Sequence, residues 1–329
     1  MLLPSFAHYR PETLKEALSL MASLDDGDVE YALYGGGTDV IPAMKRGLAA
    51  PQAMISLSGI APLSGILKDG ETISIGALTT LNGLISHPLV IRHLPVIADT
   101  ARKIATPQIR SQATIGGNVL VDNRCTYFNQ GGINRDNHGA CYKAGGDVCH
   151  FIPRAGKDGA PLCRSRCVSD LAPVLTLLGA RLRVASRRGE REIPISELYP
   201  EDGMNPRAIA KDEVLTSIVV GPLLKIKVSY EKLRIRNAID FASLGVAAGV
   251  EEKENRRTIK LCIIGMETRP LYQEFPEERF SGNSAQEIIE EISKLSIRDI
   301  SPLKQDILPP PYRKSMIPVL VRRMLSDMI

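Results

Sequence analysis

The chain has 329 residues, 44% of them hydrophobic and 24% charged, with a net charge of +4. This is the composition of a water-soluble protein long enough for two or three packed domains, and its small, scattered basic surplus argues against nucleic acid as a partner. No apolar run reaches bilayer-spanning length, and the opening MLLPSFAHYRPETLKEALSLM lacks the regions of a secretion signal, so a cytoplasmic protein with no membrane partner is expected. In a reducing compartment disulfides are rare, and gathered cysteines more often bind metal or do redox chemistry.

Residues 11–24, PETLKEALSLMASL, carry Leu14, Ala17, Leu18 and Met21 at helical spacing behind Pro11. EYALYGGGTDVIPAMKRG follows as a strand feeding a triple glycine, then a helix or turn. APQAMISLSGI and ETISIGALTTLNGLI predict short strands and a helix, and in KIATPQIRSQATIGGNVLVDN a second strand feeds Gly116-Gly117-Asn118. Residues 124–167 then hold five of the six cysteines. Beyond them, DLAPVLTLLGARLRVAS predicts a helix stopped by Gly179 and then a strand. DEVLTSIVVGP predicts a strand closed by Gly221-Pro222, where a domain boundary is placed. The pattern then turns to long alternating strands joined by the charged hairpin EEKENRR. It ends in helices within NSAQEIIEEISKLS and PPPYRKSMIPVLVRRMLSDMI, with Pro309 to Pro311 breaking the chain between them.

Glycine admits positive φ and lets amide N–H groups approach an anion unobstructed, so YGGGTDV and TIGGN are each either a tight turn or part of a phosphate cradle. Neither has the spacing of the nicotinamide fingerprint or of a triphosphate-binding loop, which disfavours a Rossmann domain. The succession LYGGGTDVIPAMKRG, IATPQIRSQATIGGNV, SDLAPVLTLLGA, DEVLTSIVV and YEKLRIRNAIDFASLGVA resembles the FAD-binding medium subunit of the molybdenum hydroxylase (xanthine dehydrogenase) family, over nearly the whole chain. The resemblance implies an α+β, two-subdomain FAD-binding fold of the vanillyl-alcohol-oxidase type over residues 1–222, divided into 1–58 and 59–222. Residues 223–329 would form a C-terminal α+β domain of the carbon monoxide dehydrogenase flavoprotein type, with an antiparallel sheet and packed helices.

Carried onto this sequence, Leu33, Tyr34, Gly35, Gly36, Gly37, Thr38, Asp39 and Val40 would wrap the FAD pyrophosphate, and Thr114, Ile115, Gly116, Gly117 and Asn118 would complete the cradle. Ile104 would meet the cofactor, Asp170 would bind its adenosine part, and Leu215 and Lys232 would border the flavin. Apart from the resemblance, Asp170 reads as a helix N-cap, Leu215 as core and Lys232 as a solvated strand lysine.

The five clustered cysteines stand at 125, 141, 149, 163 and 167. They lack the paired knuckles of zinc ribbons and the tight runs of ferredoxins, so spacing alone leaves a cluster, zinc and unligated thiols open. The stretch 123–167 is similar to an insertion in the flavoprotein subunit of 4-hydroxybenzoyl-CoA reductase, where four cysteines hold a 4Fe-4S cluster. That similarity implies Cys125, Cys141, Cys149 and Cys163 as ligands, with Cys167 a spectator or else the fourth ligand in place of Cys163. His138 and His150 are read as neighbours of the site or surface groups, and Cys262 as a buried apolar residue. The turn-forming GGINRDNHG and RAGKDGAP contain little that burial could order, so metal binding would supply the order. Arg124, Lys143, Arg154, Arg164 and Arg166 either offset cluster charge or form a solvated basic loop.

The resemblance implies an electron-transfer subunit with no acid, base or nucleophile of its own. FAD and the 4Fe-4S cluster would lie on this chain, and molybdopterin and 2Fe-2S clusters on a large and a small partner subunit, in a dimer of heterotrimers fed by a ferredoxin-like donor. The flavin blocks fit equally a xanthine dehydrogenase-like hydroxylase subunit that passes electrons to NAD. A protein stabilised by zinc, whose glycine turns are only turns, is the reading from another class.

Overall fold

A computed structural model describes residues 3–152, 162–223, 225–254 and 256–329. Helix α1 (Leu14–Asp26) starts three residues later than its periodicity suggests, because Thr13 Oγ1 accepts the N–H of Glu16 and caps it. Its buried Ala17, Met21 and Leu24 pack with Tyr31, Ala53 and Ile55 of a small parallel sheet. That sheet comprises β1 (Ala7–Tyr9), β2 (Tyr31–Tyr34) and β3 (Ala53–Ser56) in the order β1-β3-β2. Residues 35–39 connect β2 to a short helix, α2 (Val40–Lys45).

The second sheet is antiparallel, with the order β4-β5-β8-β6-β7. Strands β4 (Ile66–Asp69) and β5 (Thr72–Gly76) precede a helical connection made of α3 (Leu81–Ser86), α4 (Pro88–His93), α5 (Pro95–Arg102), α6 (Pro107–Arg110) and α7 (Ile115–Val119). The cysteine-rich stretch contributes α8 (Gly132–His138), and α9 (Leu171–Leu177) leads through Gly179, at φ 64°, into β6 (Arg181–Ser186) and β7 (Gly189–Pro194). Strand β8 (Val214–Val220) then inserts between β5 and β6.

The third sheet, order β12-β11-β10-β9, is antiparallel throughout. It comprises β9 (Ile226–Leu233), β10 (Leu244–Lys253), β11 (Arg256–Ile264) and β12 (Leu271–Pro276). Its pleat divides two cores: Ala247, Cys262 and Ile264 join the core around α5 and α9, while Val246, Ala248, Leu261 and Ile263 face the core of α10 (Ala285–Leu295) and α11 (Pro310–Ser326). Helix α10 opens with a capping box between Ser284 and Glu287. Pro310 and Pro311 occupy the first turn of α11 rather than breaking the chain, since their missing N–H groups have no helical partner there.

Two local expectations are corrected. No strand precedes the second glycine pair; Gly116 and Gly117 lie inside α7, a single turn capped by Thr114, whose Oγ1 accepts the Gly117 N–H at 3.1 Å. The stretch GGINRDNHG is not merely a turn, for it forms α8. Among the described residues no helix is long and apolar enough to cross a membrane.

Candidate cofactor site

The first glycine loop owes its composition to close packing. A Cβ at Gly35 would lie 3.0 Å from Leu78 Cδ2 and 3.3 Å from Thr114 Cγ2, and one at Gly36 would run into the Gln112 carbonyl oxygen. Gly37 takes φ 69°, a conformation costly for side-chain-bearing residues. The structure thus brings loop 35–37 against segment 112–114, joining the two glycine-rich blocks. Among the described residues, the backbone N–H groups of Gly36, Gly37, Thr38 and Asp39 have no acceptor, while the Gly37 carbonyl takes the Ile41 N–H at 3.2 Å. Free consecutive donors in a glycine turn form a concavity suited to an anion. A diphosphate such as that of FAD suits such a cradle.

The second block differs. The N–H groups of Ile115 and Gly116 donate to the carbonyls of Thr79 and Ala77 (both 2.9 Å), that of Gly117 to Thr114 Oγ1, and that of Asn118 to the Thr114 carbonyl at 2.9 Å. Its amides are therefore engaged within the protein. Gly116 is required because a Cβ would lie 2.7 Å from the Ala77 oxygen. What this block presents to loop 35–37 is the Thr114 side chain, while Asn118 Oδ1 accepts from Leu171 N–H (3.1 Å) and Ser169 Oγ (3.2 Å) and caps α9.

With Asn118 and Ser169 capping α9, Asp170 is free of that task. Its side chain makes no cap hydrogen bond and instead accepts from Tyr230 Oη at 2.7 Å and Lys232 Nζ at 2.9 Å. Both side chains of the ion pair are 2% exposed, so Lys232 is no solvated lysine. Burial, then the Asp170 charge, pushes the Tyr230 phenol well above its ordinary range. Ile104 and Leu215 are both buried in the main core.

The cysteine stretch leaves the fold through a neck. Arg124 and Arg166 exchange both backbone hydrogen bonds, each 2.9 Å. Beyond the neck, Cys125, Cys141, Cys149 and Cys163 line one cavity together with Tyr127, Phe128, Phe151 and Lys143. Cys167 lies elsewhere: it is buried in the main core, its N–H on the Glu267 carbonyl at 2.8 Å. Cys262 is likewise a core residue of β11. Burial pushes the Cys125 thiol up to about 11 and that of Cys163 upward, and Cys167 up to about 12. Among the described residues, no three His, Cys, Asp or Glu side chains gather closely enough for a single metal ion.

The stretch also has a small core of its own, in which Tyr127, Phe128 and Cys141 pack with Leu48, Cys125 and Phe151. The His150 ring lies 3.9 Å from that of Tyr127 and lines the cavity, and His138 meets Tyr127 edge-on at 6.2 Å. Most of the expected basic set is already paired. Arg124 binds Asp39, Lys143 binds Asp122 (2.6 Å), Arg164 binds Glu267 (2.5 Å) and Arg166 binds Asp306; Arg154 lies outside the described residues. The sequence hid these partners because each carboxylate lies in a connecting segment remote along the chain from its cation.

Residues 4–223 match the family model described as the FAD binding domain in molybdopterin dehydrogenase. The chain belongs to that family. Molybdopterin dehydrogenase flavoproteins similar to it include the carbon monoxide dehydrogenase medium chain of Hydrogenophaga pseudoflava, 39% identical over 119 residues, which is 36% of this chain and 40% of that one. The corresponding chain of Afipia carboxidovorans is 26% identical over 97% of this chain and 95% of its own length. The xanthine dehydrogenase FAD-binding subunit of Escherichia coli O157:H7 is 23% identical over 98% and 96%. A solved structure of the Cu,Mo-CO dehydrogenase in its cyanide-inactivated form superposes with a TM-score of 0.74 at 25% identity, over 98% of this chain and 97% of that one. The protein is thus an FAD-binding oxidoreductase subunit of the molybdenum hydroxylase type, with a mixed α and β fold.

Proposed function

We propose that this chain carries FAD and a 4Fe-4S cluster, and is the electron-transfer subunit of a molybdenum-containing complex of the 4-hydroxybenzoyl-CoA reductase kind. The observation that carries the reading is the cavity on which four of the six cysteines converge, with Cys163 on its wall and Cys167 in the core. A single zinc ion draws its sulfurs to about 2.3 Å from one point. Four thiols spread over the wall of an aromatic-lined cavity suit a body with bulk of its own. Flavin and cluster together would supply passage between two-electron and one-electron chemistry. The chain's residues hold and screen these groups: Cys125, Cys141, Cys149 and Cys163 as ligands, Tyr127, Phe128 and Phe151 against water, and the free amides of Gly36 to Asp39 on the diphosphate.

In this reading residues 1–222 form a vanillyl-alcohol-oxidase-type FAD domain with 123–167 inserted, and residues 223–329 form the C-terminal domain. Ile104, Asp170, Leu215 and Lys232 border the cofactor, with Thr114 to Asn118 beside its diphosphate. A molybdopterin-binding large subunit and a 2Fe-2S small subunit complete a dimer of heterotrimers, with a ferredoxin-like donor. The end-to-end match to a xanthine dehydrogenase subunit favours a second reading, a hydroxylase subunit that passes electrons to NAD. The cysteine cavity favours the first.

Anaerobic purification with iron supplied should give FAD beside about four iron and four acid-labile sulfide per chain. Zinc in place of iron would remove the cluster, and a colourless protein would remove both cofactors. Reduction of 4-hydroxybenzoyl-CoA by the whole complex supports the first reading; NAD reduction with a purine, without activity on the thioester, establishes the second.

A further inference from the structure

The segment joining the first glycine loop to α2 and the turn after it is gripped at both ends by the cysteine-rich stretch. At its start, Asp39 is paired with Arg124, the residue beside Cys125, whose guanidinium also lies 4.5 Å over the Phe241 ring. At its end, the Gly47 carbonyl accepts from Arg135 Nη2 at 2.8 Å, and Leu48 packs into the small core around Cys141 and Tyr127. Arg135 is tied in turn to the carbonyls of Phe128 (3.3 Å) and Gln130 (3.1 Å), residues between Cys125 and α8. Two arginines of the inserted stretch therefore bracket residues 39–47, the segment adjoining the free amides of the glycine loop.

We propose that Arg124 and Arg135 are positioning residues that couple the two cofactor sites, so that filling the cysteine cavity tightens the hold on FAD. The inference rests on the reading of that cavity as an iron–sulfur site. With its cysteines unligated, the stretch is held by the neck, by ion pairs such as Lys143–Asp122 and by its small core; ligation adds fixed points at Cys125 and Cys141, which stiffen Arg124 and the backbone that orients Arg135. Fixing both ends of segment 39–47 lessens the ordering that diphosphate binding must impose on the loop. Coupling of this kind is reciprocal: FAD must strengthen iron retention by the same factor.

The test uses the full chain stripped of FAD, titrated with FAD by flavin fluorescence, iron-free and after anaerobic reconstitution with ferrous iron and sulfide. Iron is assayed on every sample. In the unaltered chain reconstitution should lower the Kd for FAD by about fivefold or more. In the Arg124→Gln, Arg135→Gln double variant the ratio should fall to within about twofold of unity while iron still loads; Arg124→Lys should keep part of the effect. An undiminished ratio in the iron-loaded double variant overturns the coupling, as does a ratio of one in the iron-loaded unaltered chain. Absence of iron in the unaltered chain overturns the cluster reading itself, and the inference with it. Should the double variant fail to fold, amide exchange in the unaltered chain decides: the hydrogen-bonded Ile41, Ala43 and Leu48 amides must become more protected on iron loading, and unchanged exchange rejects the proposal.

Discussion

Lys232 sits in the strand sequence IKVSYEKL five positions after Lys227, so the two lysines project from opposite faces of the sheet, and Lys232 shares its face with Tyr230. The difference lies in what faces it across the fold, since its ammonium meets the Asp170 carboxylate where Tyr230 also donates. Removing one member of a buried ion pair strands the other without solvent, at a typical cost of about 3–5 kcal/mol. Lys232→Met should therefore lower unfolding stability by about that amount in urea titrations. Adding Asp170→Asn should restore much of the loss, because the stranded charge is then gone. Equal losses in the single and double variants would show that the pair is not what matters. The glycines of the first loop were legible as a turn, but the carbonyl of Gln112 that makes Gly36 indispensable is contributed from far along the chain.

At the scale of elements, legibility followed periodicity. Helices α1 and α10 and the β10–β11 hairpin carry long, regular apolar patterns, and the structure holds them near their expected bounds. Helices α7 and α8 escaped because each is short and glycine-bearing; contacts such as Thr114 on the Gly117 amide and Arg135 on neighbouring carbonyls define them more than propensity does. Strand pairing produces a further link that no local pattern signals. Arg191 of β7 reaches over β6 to Glu213 at the start of β8, donating at 2.7 and 2.8 Å. The Arg191 hydrogen bond holds the Glu213 carboxyl below its ordinary value, against desolvation. A carboxyl depressed on folding stabilises above its unfolded pKa, near 4.3, and loses that contribution as pH falls through the folded value. Glu213→Gln should accordingly flatten the acid limb of stability against pH, read as urea midpoints from neutral pH down to about pH 2.5. An acid limb of unchanged steepness would contradict this.

Across the whole molecule, the C-terminal third holds the neck shut. Thr126 N–H donates to the Gln305 carbonyl at 3.0 Å, Gln305 Nε2 donates to the Arg164 carbonyl at 2.9 Å, and Arg166 pairs with Asp306, at 8% and 5% side-chain exposure. Burial pulls the Arg166 guanidinium down to about 10, with Asp306 opposing the shift. Asp306 also accepts from Ser243 Oγ at 2.9 Å and Leu308 N–H at 2.8 Å. Asp306→Ala should cost about 3–5 kcal/mol in chemical denaturation, with its first losses near Arg164 to Arg166 in amide exchange. Exchange quickening only within α11 would refute that order. The glycine blocks and the cysteine series suggested the parts of the candidate site; the neck, drawn from residues 124–126, 164–166 and 305–306, could not be seen until the parts were packed.

The Arg124–Arg166 bridge lets some forty residues depart from the fold and return to it side by side. Both ends of the segment thus enter the main fold at one place, so the strands and helices on either side keep the same start and finish whatever the segment holds.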